Sequence, residues 1–142
     1  MLIAAYAHDW GYANLFTNGK LADYDTVANT KNAHMEVGAK KLKQLLTASF
    51  FCFLNEKQKN RAIHLVKVHD QLDKLNDPDE IILLEADTLG AMDIDLVKST
   101  FDKKSNEKYI QELTEKRLPK FITEYSIQEA SKLIKKRKDY YD

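Results

Sequence analysis

Residues 2–12 read L-I-A-A-Y-A-H-D-W-G-Y, a small-residue apolar run that ends in adjacent His8 and Asp9 and breaks at Gly11. Two ionisable side chains closing a segment built for burial need hydrogen bonds, a charge partner or a metal ion to offset their lost hydration. The chain must therefore fold so that other polar groups meet this doublet. That demand constrains the architecture more than any bulk property does, and we read the doublet as the centre of a metal site.

The rest of the chain supplies the means to bury it. With 142 residues, 44% hydrophobic and 31% charged, the sequence fits one globular domain with a modest core rather than a disordered segment. Lysine plus arginine and aspartate plus glutamate balance at 22 each, so no global basic excess points to nucleic acid. The single cysteine, Cys52, excludes an internal disulfide framework and suits a reducing cytoplasm. Its setting, F-F-C-F-L over residues 50–54, reads as buried. No run is long and apolar enough to span a bilayer, no basic leader precedes the first apolar residues, and no membrane partner is expected. The opening helix starts without a polar cap, and the sequence is read as lacking an upstream segment.

Helical periodicity dominates the chain beyond the doublet. Residues 12–32, rich in Asn, Asp, Thr and Gly, are the exception and read as a long binding loop. A helix runs from His34 to Leu46, with Val37, Leu42, Leu45 and Leu46 apolar, and a short buried connector over Thr47–Leu54 comes next. Asn55 caps a helix from Glu56 to about Leu75, with Ala62, Ile63, Val66, His69, Leu72 and Leu75 near one face. Asp77-Pro78 starts the next helix, which fades near Gly90. Asp93–Phe101 reads as a further helix, Lys103–Asn106 as a polar break and Glu107–Arg117 as helix, with Pro119 interrupting. Ser126, with Glu129 three residues on, caps a last helix to about Tyr140. The basic run Lys135–Lys138 reads as a solvated helix end. The expectation is an all-α fold, one domain over residues 1–142.

Four histidines and several carboxylates carry the chemistry. His69 shares the apolar face of its helix and looks inward, whereas His64, five residues earlier, diverges and reads as surface or as a support behind the ligands. Asp87, between Leu84, Ala86 and Leu89, is costly unless paired or coordinated. Imidazole and carboxylate donors without thiolate suit iron, manganese, zinc or magnesium in a reactive site rather than a structural zinc cage.

The order of these pieces resembles the HD-domain metal-dependent phosphohydrolase superfamily. They are A-Y-A-H-D-W-G-Y over 5–12, H-M-E-V-G-A over 34–39, V-K-V-H-D over 66–70 and E-A-D-T-L-G-A over 85–91. The resemblance spans about residues 2–95 and leaves the helices of 96–142 outside it. It implies an HD-domain-like helical bundle in which His8, Asp9, His34, His69 and Asp87 hold one or two divalent ions (manganese, iron, nickel, cobalt, magnesium or zinc). Asp9 would bridge two ions and act as the catalytic carboxylate. Glu36, Asp70 and Glu85 would orient the ligands, and Lys40 or Lys41 would contact phosphate.

Two departures accompany the likeness. The family's first histidine lies on a helix upstream of the doublet, where this chain has no residues, and the final motif usually reads D-A-D-R-L. The C-terminal helices or a second copy of the chain would cover the groove this leaves, so a homo-oligomer stays open. The implied function is cytoplasmic hydrolysis of a small phosphorylated substrate, nucleotide or other phosphate ester, by metal-activated water. The alternatives are a degenerate HD domain that binds nucleotide or regulates without turnover, a di-iron oxygenase-like HD protein, and a helical interaction domain with satisfied core histidines.

Overall fold

The computed structural model describes residues 1–14, 24–96 and 101–141. Among them the fold is all-α: α1 (Leu2–Ala7), α2 (Tyr24–Leu45), α3 (Glu56–Val68), α4 (Pro78–Met92), α5 (Lys103–Glu112) and α6 (Glu124–Tyr141), joined by short tight turns and with no strand. None of these helices is long and apolar enough to cross a membrane. The described residues divide into two compact units, one holding 1–14 and 29–75, the other 24–28, 76–96 and 101–141.

The first unit is built on small residues. Ala4 and Ala7 of α1 are fully buried, as are Leu65 and Val66 of α3 and Met35 and Leu42 of α2, and Ala39 of α2 is buried beside them in the sequence. Alanines on α1 let its backbone lie close to α3, which it packs against. Gly38 of α2 continues the close approach: a Cβ there would stand 3.2 Å from Val66 Cγ1 and 3.4 Å from the His8 carbonyl oxygen. Gly11 is stricter still, because a Cβ at that position would overlap the backbone of His34. The glycine read as a helix stop is thus the point where the chain after the doublet lies directly against α2.

Several boundaries differ from the sequence expectation. The stretch 24–32 is helical, not loop: Asn29 and Asn32 lie exposed on α2, where their weak helix propensity costs little against the packing of the rest. The remainder of the expected loop, 15–23, lies outside the described residues. As a result His34 is mid-helix. The α3 helix ends at Val68 instead of Leu75, with His69 at its C-cap. Its start is as expected: the Asn55 side chain accepts from the Gln58 amide at 2.9 Å and Gln58 returns the bond at 3.0 Å. The connector before it is a 3₁₀ turn over Ser49–Phe51, but it is exposed; Cys52 lies on the surface, not in the core.

In the second unit, α4 and α6 pack around Met92, Leu113, Phe121, Ala130 and Leu133. Lys103–Asn106 is no break: Asp102 accepts from the Ser105 amide at 2.7 Å and starts α5 there. Leu113–Arg117 forms a π-type turn before Pro119. Residues 97–100 of the helix expected over Asp93–Phe101 lie outside the described residues; Asp93–Leu96 forms a turn. The α6 cap is Thr123, not Ser126, whose amide instead donates to Thr123 Oγ1 at 3.3 Å.

Candidate metal centre

Three elements of the first unit deliver its ionisable groups to one place. The end of α1 supplies His8 and Asp9, the middle of α2 supplies His34, and the end of α3 supplies His69 and Asp70. His34 and His69 are fully buried, whereas the Asp9 side chain is 53% exposed, so the cluster opens to solvent on the Asp9 side.

The Nε2 atoms of His34 and His69 lie 3.1 Å apart. Asp9 Oδ1 stands 3.7 Å from the first and 3.9 Å from the second. Asp70 Oδ2, on a nearly buried side chain, is 3.9 Å from His34 Nε2. On the other side of Asp9, its Oδ2 is 3.2 Å from His8 Nε2. One ligand atom each from Asp9, His34 and His69 fits within the span of a single ion's coordination sphere.

Hydrogen bonds at the back of the rings decide which nitrogens face this space. His69 Nδ1 donates to the Val66 carbonyl at 2.8 Å, and His8 Nδ1 to the Ala5 carbonyl at 2.7 Å. A neutral imidazole that gives its proton at Nδ1 keeps a lone pair at Nε2. His8 Nε2 therefore meets a carboxylate as one acceptor facing another, and a proton or a cation resolves that conflict. Backbone carbonyls that fix the tautomer in this way are a common support of metal-binding histidines. Tyr12 stacks on His34 with ring centroids 3.9 Å apart and planes at 12°, and Lys41 Nζ donates to the Trp10 carbonyl at 3.0 Å. Both contacts hold the segment after the doublet against α2.

Burial holds the His34 imidazole below its ordinary pKa, and the neighbouring His69 adds to this. Asp70 and Asp9 pull the other way, as does the Thr30 carbonyl one turn earlier. The ring stays neutral, hence able to donate a lone pair, to lower pH than a free histidine. The donor set of buried neutral imidazole and carboxylate suits a divalent cation, and His34, His69 and Asp9 are the residues that could hold one.

Sequence reasoning thus named residues of one cluster in His8, Asp9, His34 and His69. Asp87 belongs to the second unit, where Arg117 donates to its Oδ2 at 2.6 Å from the end of the π-type turn. Glu85 is in that unit too and serves a different purpose from ligand orientation. It accepts from the amides of Ile122 at 2.5 Å and Thr123 at 3.0 Å and from the Thr123 hydroxyl at 2.6 Å, pinning the start of α6. Glu36 is exposed and pairs with Lys67 at 3.2 Å. Lys40 is exposed on α2, and His64 is exposed as expected. Tyr12 and Arg117 were not anticipated. Tyr12 had a local signal, since it directly follows the glycine that meets α2; Arg117 had none, because its partner lies 30 residues away.

Compared with protein-family models, curated proteins and solved structures, the chain matches none.

Proposed function

We propose that this chain is a metal-dependent phosphohydrolase of the HD-domain type, acting on nucleotides or other phosphate esters. The observation that carries the reading is the pair of Nε2 atoms of His34 and His69, 3.1 Å apart beside Asp9. With metal–nitrogen bonds of about 2.1 Å, neighbouring ligands of one ion lie about 3.0–3.4 Å apart, depending on geometry. The order of the first three sequence motifs points to the same residues.

A divalent ion bound there supplies a nucleophile near neutral pH and an electrostatic sink for charge developing on phosphate oxygens. The protein's part follows from its own groups. His34 and His69 present lone pairs from a buried wall. Asp9, on the solvent side, would orient an incoming water against a phosphorus. The nearly buried Asp70 adds negative charge beside His34, which favours a cation in the cluster over an anion. Lys40, exposed on the His34 helix, is the candidate contact for substrate phosphate, because Lys41 is engaged by Trp10.

One observation favours a second reading. The Asp87 carboxylate is already bound by Arg117, and a guanidinium competes with a metal ion for the same oxygens. A regulatory module that binds nucleotide without turnover accommodates that pairing. The two readings separate in one experiment: elemental analysis of the purified protein, then assay of generic phosphoesters and nucleotides with added manganese, nickel or cobalt. Metal-dependent release of phosphate that His8→Ala and Asp87→Ala both abolish supports the hydrolase. Metal retention unchanged in both variants removes that ligand assignment. Nucleotide binding without release supports the module, and iron-dependent oxygen uptake would instead indicate an oxygenase.

A further inference from the structure

The corner between α2 and α3 presents an aromatic surface that the candidate metal centre does not use. Phe50 is 77% exposed and Phe53 67%, with Phe51 half-buried between them and Leu45 exposed beside them in sequence at the end of α2. The three rings cluster, with centroids 5.3 Å apart for Phe50 and Phe51 and 6.4 Å for Phe50 and Phe53. No charged side chain interrupts residues 50–54. Single exposed apolar residues are ordinary, but a contiguous exposed group of this kind marks a contact surface.

The charges around this corner select the partner. Residues 40–61 carry six lysines and arginines and one acid, Glu56, in a chain whose total charge is zero. Glu56 is paired with Lys59 at 3.1 Å. Lys40 and Lys43 on the last turns of α2 and Lys57 on the first turn of α3 are exposed. A rise of about 1.5 Å per residue puts Lys40 some 7 Å back along α2 from its end at Leu45. Exposed lysines flanking an exposed aromatic cluster in sequence on both sides supply the charge that attracts anionic headgroups.

We infer that the α2–α3 corner docks the protein on an anionic membrane surface, with Phe50 and Phe53 entering the acyl boundary and Lys40, Lys43 and Lys57 meeting lipid phosphates and carboxylates. The same net positive charge disfavours a second copy of this chain as the occupant, because two such corners repel. A single-stranded nucleic acid would stack on rings spread along a cationic track, whereas these three rings pack against one another. The docking does not depend on the metal centre, and of its residues only Lys40 is shared with the phosphate contact proposed there.

The test is co-sedimentation of the full chain with vesicles of phosphatidylcholine alone and of phosphatidylcholine with phosphatidylserine, over a salt series. Binding is expected only to the serine-containing vesicles and to weaken as salt rises. Phe50→Ser with Phe53→Ser, and separately Lys40→Glu, Lys43→Glu and Lys57→Glu together, are each expected to weaken it roughly tenfold or more. Every substituted side chain is exposed, and an unchanged circular dichroism melt confirms that each variant folds. No binding by the native chain, equal binding to neutral vesicles, or full binding by the Phe50→Ser, Phe53→Ser variant would overturn the inference. So would a dimer that this variant abolishes, or Phe-dependent binding of a single-stranded RNA with none to vesicles.

Discussion

His34 Nε2 and His69 Nε2 face each other across 3.1 Å, on two different helices and out of reach of solvent. His69 Nδ1, on the far side of its ring, donates to the Val66 carbonyl. One ring can donate to the other across this gap, and a cation in place of that proton would take a lone pair from each, with Asp9 at the open side.

The approach of the doublet segment to α2 makes the glycines unequal. Gly11→Ala drives a methyl into the His34 backbone and is expected to destabilise the protein by about 3 kcal/mol or more, since rigid backbone cannot yield. Gly38→Ala meets Val66 Cγ1 at 3.2 Å, a side-chain atom that can shift by tenths of an ångström, so its cost is smaller. Gly90, inside α4, has nothing within 4 Å of an added Cβ. Gly90→Ala should stabilise by up to about 1 kcal/mol through helix propensity. Urea denaturation of the three variants gives the order directly.

Glu85 sets an acid-sensitive point in the second unit. Burial alone pushes its pKa up, but hydrogen bonds from Thr123, from the Ile122 amide and from Ser126 outweigh this and hold it below the ordinary carboxylate value. The folded state thus favours the ionised form. Its contribution is fully present above the unfolded glutamate pKa, about 4.3, and is lost as pH falls through the lower folded value. Glu85→Gln should cost about 2 kcal/mol at neutral pH, by weakening charge-assisted bonds to the start of α6. It should also flatten the pH dependence of stability below about pH 4.3 in denaturation curves.

His34 acts in the same direction, but starting at higher pH. Its folded pKa is lowered, first by burial and then by His69, so below the ordinary value near 6.5 the unfolded chain binds the extra proton first. Metal-free protein should lose stability as pH drops below about 6.5, and the slope should end once the folded ring also protonates. His34→Gln should remove that part of the slope. A slope unchanged by the substitution would show that His34 does not titrate in this way.

Arg117 and Asp87 form a shielded pair, with side chains 8% and 13% exposed. Arg117→Ala leaves a carboxylate with less compensation and should destabilise by about 3 kcal/mol. Replacing the pair together by apolar residues of similar size should cost less. A thermodynamic double-mutant cycle measures the coupling.

How much of the fold and the cluster was legible in the sequence depended on how local each signal was. Asn55 and Asp77-Pro78 are written within one helical turn, and both starts are where the sequence puts them. His69 was legible as inward-facing because Ala62 and Val66 share its face. The Asn- and Thr-rich start of α2 was misread because propensity is a weak guide beside packing. Cys52 and its phenylalanines were misread because apolar composition normally means burial, and nothing local says which apolar run stays outside. The role of Glu85 was invisible for another reason: it depends on Ile122 and Thr123, brought close only by the packing of α4 with α6.

The central claim is that His34 and His69 together bind a divalent ion. Titration of the metal-stripped chain with cobalt, followed by its visible absorption, tests it most directly. The native chain should bind cobalt with nitrogen ligation; His34→Ala and His69→Ala should each weaken binding at least tenfold, while His64→Ala, on the exposed face of α3, should leave it unchanged. Cobalt binding that survives both His34→Ala and His69→Ala, or that never occurs in the native chain, contradicts the assignment.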